Sequence, residues 1–225
     1  MPKMLLKAAM KQQKHYSEFR KAESKIGALL EYGFIAGLYG IKKLGITNTG
    51  MEEIIAIIET NNCFADGVQM VTGYSFGSNA LVYRDYGKTA VTISKRDGQA
   101  IRLVLNPRFE DSREKEYPEA YEMFNKLITR REQGSSEDYA RLMASFAEIS
   151  AKELYVPAEE MFWIKREKTE IPSFAPIFES VKCAKCDENV MISKVIKRNG
   201  EYYCIRCLNE EFFELNGSGI ARLKK

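Results

Sequence analysis

The chain of 225 residues has room for one large domain, or for a medium domain with a small appendage. With 45% hydrophobic and 29% charged residues it has a globular balance, which excludes general disorder. A net charge of +3 is too small to argue for nucleic acid, and the longest apolar run, residues 26–41, contains Glu31 and is too short for a bilayer span. The charge is uneven: residues 1–43 carry nine Lys or Arg against three Glu, and residues 182–225 carry nine against six acids. The middle is therefore acidic, and the basic N-terminus reads as a solvated helix face. "MPKMLLKAAMKQQKHY" has too short an apolar stretch for a signal peptide, so a cytoplasmic location is expected.

Residues 4–22 read as a polar first helix that contains the only histidine, His15. A second, buried helix is expected over 24–46. Its Ala28, Gly33, Ala36, Gly37 and Gly40 make sense if another backbone packs very close, and Gly45 supplies its stop. The isoleucine-rich run 52–60 is read as a strand. A short helix follows over 63–73, then strands over 79–87 and 88–106, the latter folded at the Asp97-Gly98 turn. Pro107 closes this β region. Helices are expected over 118–133, with Pro118 in the first turn, and over 135–154, with Ser135 and Asp138 as the cap. Residues 159–171 suggest a further strand. Pro172 and Pro176 mark a linker, 171–181, between a core of residues 1–170 and a tail of residues 182–225.

The tail carries the sharpest motif. Cys183-x2-Cys186 and Cys204-x2-Cys207 are separated by seventeen residues, with "RNGE" as the turn of an intervening hairpin. Each pair can present two thiolates to one ion, and four thiolates in a tetrahedron match structural zinc with no open position for substrate. A rubredoxin-type iron site uses similar ligands, and the spacing leaves it open. Residues 208–217 are expected to be helical. Knuckle, hairpin and knuckle leading into a helix form a treble-clef finger, suited more to protein docking than to nucleic acid.

Residues 63–103, "CFADGVQMVTGYSFGSNALVYRDYGKTAVTISKRDGQAIRL", resemble the FmdE family of formylmethanofuran dehydrogenase subunits. The matching positions are Cys63, Asp66, Gln69, Thr72, Gly73, Gly77, Asp85, Gly87 and Lys88; the four-cysteine tail is also similar. The family's His-Gly-His-x-Cys-Pro-Gly segment corresponds to "GALLEYG", where Leu29 and Glu31 are among the replacements, and Tyr74 stands where a second cysteine is usual. The resemblance implies an α+β core of helices packed on an antiparallel or mixed sheet, which dimerises and carries the finger. It also implies association with formylmethanofuran dehydrogenase, which reduces carbon dioxide on methanofuran using a molybdenum or tungsten pterin.

On a helix starting near Cys63, residues 63, 66 and 70 fall within about a 60° arc, with Gln69 at its edge. Cys63, Asp66, Gln69, Thr72, Asp85 and Lys88 are thus the candidate pocket. The helix dipole favours a Cys63 thiolate. In the plainer reading Cys63 is a small hydrophobe, Asp66 caps the helix, and Asp85 and Lys88 form an exposed pair. A second, core metal is not expected from Cys63, Asp66 and Glu31 alone. The chain lacks cysteine sets for iron–sulfur clusters, so an accessory or metal-handling role is expected rather than that of the catalytic pterin component. The alternative is a non-enzymatic dimeric zinc-binding interaction module. Neither a membrane nor nucleic acid is an expected partner.

Overall fold

In the computed structural model, residues 28–46 and 53–224 are described. The helix expected over 4–22 lies outside them, as does the start of the second helix. That second helix, α1, runs Leu29–Leu44 and ends at Gly45, whose φ of 62° is left-handed and whose N–H returns to the carbonyls of Ile41 and Lys42.

The isoleucine run forms strand β1, Ile54–Ile58, with every residue buried. A continuous apolar run suits a central strand. β1 pairs in parallel with β2, Leu81–Tyr83, and antiparallel with β3, Ala90–Lys95. The Asp97-Gly98 turn leads β3 into β4, Gln99–Leu105, which pairs with the edge strand β5, Phe162–Lys168. The order β2-β1-β3-β4-β5 gives the expected mixed sheet.

Helix α2, Cys63–Thr72, lies between β1 and β2 and packs on α1. Glycine lets the two backbones touch. A Cβ on Gly33 would stand 1.9 Å from the Phe64 carbonyl oxygen, and one on Gly67 would stand 2.0 Å from that of Leu30. A Cβ on Gly40 would meet the Ile93 side chain of β3 at 2.6 Å. The glycines of α1 are thus used within the chain. Around this contact Tyr32, Ala36, Phe64 and Val68 join Ile55, Ile57, Val91, Ile93, Ile101 and Leu103 in the main core.

Between β4 and β5 the chain makes a helical excursion. Residues after Pro107 are helical too: α3 spans Pro107–Glu116, capped by Asn106. At Tyr117 the chain turns, and α4, Pro118–Phe124, continues through a π-helical turn, Asn125–Thr129. Helix α5, Ser136–Glu153, carries the expected capping box of Ser135 and Asp138. Leu127, Leu142, Phe146 and Ile149 build a second cluster, with the Tyr121 and Phe124 rings 5.4 and 5.5 Å from Phe146. A single turn, α6, Ala158–Met161, precedes β5.

Residues 169–179 have no regular structure, but they are held to the core. Arg96 donates to the Pro172 carbonyl at 2.8 Å and lies over the Phe174 ring, and Asn79 donates to the Ser173 carbonyl. The tail then forms three hairpins. β6, Ser180–Lys182, pairs with β7, Asn189–Met191, and β8, Val195–Arg198, pairs with β9, Glu201–Cys204. The expected Asn199-Gly200 turn closes the second, both residues having positive φ. The helix expected over 208–217 is not formed. A single turn, α7, Ile205–Leu208, ends at Asn209, and β10, Phe212–Asn216, pairs with β11, Gly219–Leu223. The turn residues Asn216 to Gly219 override helix formation, Gly219 taking a φ of 100°.

No helix among the described residues is long and apolar enough to cross a membrane.

Candidate functional site

The four tail cysteines converge. Cys183 follows β6, and its carbonyl accepts the Asp187 N–H while its own N–H donates to Glu188. Asp187 turns this knuckle with a φ of 59°. Cys204 ends β9 and opens α7, which brings Cys207 round. The two knuckles interlock: the Cys204 N–H points at the Cys183 sulfur and the Cys207 N–H at the Cys204 sulfur, each at 3.3 Å. All four sulfurs lie within 4.8 Å of one another. A zinc tetrahedron with bonds of about 2.3 Å has sulfurs about 3.8 Å apart, so a small contraction completes it.

The acid–base properties of the thiols agree with a metal site. The Cys204 N–H, set against burial, draws the Cys183 thiol down to about 6. Sharing its proton with Cys204 pushes the Cys207 thiol up to about 12. Four crowded thiols resist ionising together unless a cation neutralises them. Cys183, Cys186, Cys204 and Cys207 can therefore hold a metal ion, and the donor set fits zinc.

The residues expected to form a core pocket are dispersed. Cys63 and Asp66 stand half-buried in the first turn of α2, whose buried face is Phe64, Gly67, Val68 and Thr72. Asn62 caps this helix by accepting the Phe64 N–H at 2.9 Å, a role expected of Asp66. Gln69 is exposed. Thr72 serves the helix end: its hydroxyl donates to the Val68 carbonyl at 3.0 Å and accepts the Tyr74 N–H at 3.2 Å. Lys88 is exposed, with its N–H on the Glu59 carbonyl.

Asp85 has a different task. Its carboxylate accepts the Ile220 N–H at 2.7 Å and the Tyr83 hydroxyl at 2.6 Å. These bonds, the Ile220 one foremost, hold its pKa below the usual carboxylate range. Burial, reinforced by Asp85, pushes the Tyr83 hydroxyl up to about 12. Asp85 thus grips the C-terminal hairpin.

Two buried ionic groups escaped the sequence reading. Glu59 ends β1 and makes a bidentate pair with Arg102 of β4, at 2.6 and 2.7 Å. The other lies where α1, α3, α4 and α5 meet. Glu31 and Glu153 are fully buried, and Arg113 is 3.9 Å from Glu153. The Glu153 oxygens and the Tyr32 hydroxyl close no hydrogen bond among the described residues. Burial raises the Glu153 carboxyl to about 7, against the lowering effect of Tyr32 and Arg113 and with added repulsion from Glu31. A signal was available: Leu142, Phe146, Ile149 and Glu153 follow helical spacing, so Glu153 interrupts an apolar stripe.

Residues 25–163 match the family model described as FmdE, Molybdenum formylmethanofuran dehydrogenase operon. Among solved structures, an FmdE-like protein of tungsten formylmethanofuran dehydrogenase type from Syntrophus aciditrophicus is similar in fold, with a TM-score of 0.56 at 18% identity. The match covers 87% of this chain and 91% of that one. Among curated proteins, a probable S-adenosyl-L-methionine-binding protein of Archaeoglobus fulgidus is 39% identical over 195 residues, 84% of this chain and 51% of its own length. The chain thus spans about half the length of that relative. With a family match over most of the core, and a mixed α+β fold to go with it, the chain belongs to the FmdE family.

Proposed function

We propose that this protein is an accessory, zinc-carrying member of its family, which associates with formylmethanofuran dehydrogenase subunits rather than performing the pterin chemistry. The observation that supports this most is the placement of ligands. Among the described residues the cluster able to hold a metal is Cys183, Cys186, Cys204 and Cys207, in the tail. Glu31, at the family's ligand segment, is buried beside Glu153 instead. The zinc is structural, because four protein thiolates leave no position for substrate. The finger is of treble-clef type with a shortened helix, and the working unit is a cytoplasmic homodimer.

Metal analysis of the purified full chain tests the first part. One zinc per chain is expected, lost on Cys186→Ser; two ions per chain would defeat the reading. A pull-down from native extract tests the second part, and failure to recover any component of the dehydrogenase would count against the association.

The name of the Archaeoglobus relative favours a second reading, in which the core binds S-adenosyl-L-methionine. Titration calorimetry of the full chain with that compound decides it. Saturable binding near one per chain supports this reading, and no heat at millimolar ligand removes it.

A further inference from the structure

We propose that the β10–β11 hairpin is a metal-dependent latch, which ties the four-cysteine unit to the two segments flanking the candidate core site, with Asp85 as its catch. The hairpin meets the core at its turn end. Asp85 accepts the Ile220 N–H at 2.7 Å, and the Asn61 side-chain amide donates to the Asn216 carbonyl. Gly219 fits against the catch with no room to spare. A Cβ there would stand 2.5 Å from an Asp85 carboxylate oxygen, and the φ of 100° already favours glycine. Asn61 lies two residues before Cys63, and Asp85 lies two residues after β2.

The other end of the latch is fixed to the cysteines. Cys207 sits in α7, and the Glu210 N–H donates to the Ile205 carbonyl as the chain leaves that turn. Arg198 of β8 pairs with Glu210 at 2.8 Å, and Arg222 of β11 pairs with Glu211. A continuous run of bonds thus joins the cysteine cluster to Ile220. The unit has almost no apolar core, so its order depends on the ion. When the ion leaves, the hairpin loses its anchor and the Asn61 and Asp85 segments lose their clamp. This metal-dependent half of the proposal rests on reading the cysteines as a metal site; the catch does not.

Hydrogen exchange of the full chain, read by mass spectrometry beside metal content, tests both halves. In Asp85→Ala, peptides over 219–223 and 59–63 should exchange at least about ten-fold faster, while β3 and β4 and the zinc content stay unchanged. Gly219→Ala should give the same pattern from the hairpin side, and Asp85→Asn, which keeps one acceptor oxygen, should fall between. Stripping the metal from the unaltered protein should expose 219–223 together with 180–207. Unchanged exchange of the hairpin in both Asp85→Ala and Gly219→Ala overturns the catch. A hairpin still protected after complete metal loss overturns the metal dependence. A chain purified without any metal overturns the zinc reading, and the Asp85→Ala comparison then decides the catch by itself.

Discussion

At the scale of single residues, burial decides which charges matter. Glu153 is fully buried, and its carboxyl is raised to about 7 from 4.5. The native state therefore holds more protons than the unfolded chain between these values. The stability that comes from a neutral Glu153 is complete below about 4.5, and it is lost as the pH rises through 7. The gap corresponds to about 3 kcal/mol as an upper figure. Glu153→Gln should remove most of this loss, so urea unfolding at pH 5 and pH 8 should give midpoints closer together than in the unaltered protein. The Glu59–Arg102 pair carries the opposite sign of risk. Glu59 is 6% exposed, so Arg102→Met leaves a carboxylate buried and uncompensated. About 3 kcal/mol of stability should be lost in chemical denaturation, and Glu59→Leu added to it should restore part of that. Neither group was legible in the sequence. A lone Glu at a strand end and a lone Arg in a strand interior are ordinary, and only the β1–β3–β4 order brings them together.

At the scale of elements, local chemistry foretold much of the pattern and tertiary contact settled the rest. The run "IIAII", the Asp-Gly and Asn-Gly turns and the Ser135 cap each formed what their chemistry dictates, because each signal is complete within a few residues. Helix α3 escaped notice because Pro107 reads equally as a β terminator and as a first helical residue, and the Asn106 cap was the discriminating sign. The residues over 208–217 fit a helix by composition, yet the Asn-Gly-Ser-Gly turn belongs to a hairpin whose other strand lies beyond that stretch. The candidate pocket was least legible. Cys63, Asp66, Gln69 and Thr72 share a short helix, but their roles depend on which face meets α1. That face is fixed by glycine, which yields a graded expectation. Gly33→Ala and Gly67→Ala would drive a Cβ to within about 2 Å of a carbonyl oxygen, and should cost at least about 3 kcal/mol. Gly37→Ala meets nothing closer than 3.4 Å, so the better helix propensity of alanine should leave stability unchanged or raise it by up to about 1 kcal/mol. Thermal unfolding of the three variants should separate the first two from the third; equal losses in all three would remove the close-contact explanation.

For the whole molecule, two sources of stability operate side by side. The sheet and its two helices bury a large apolar core from Tyr32 to Phe162, enough to hold without a metal. From residue 180 onward the buried apolar side chains among the described residues are those of Cys183 and Cys204, both metal-ligand candidates. Short hairpins with so little core are marginal in water, and in small finger peptides ion binding supplies about 10–16 kcal/mol. Metal removal should therefore act locally. A strong chelator should leave most of the far-ultraviolet helical signal intact, because all but one of the described α-helices lie between residues 29 and 161. It should strip amide protection from 180–223 and leave β1, β3 and β4 protected. A single cooperative loss of core and tail together would mean that the contacts at Asp85, Asn61, Arg96 and Asn79 couple the two parts more tightly than their exposed positions suggest. Persistence of the tail hairpins without metal would mean that hydrogen bonds and surface ion pairs alone hold them. Surface pairs contribute little, typically below about 1 kcal/mol each, and that small figure is why local unfolding is the expected result.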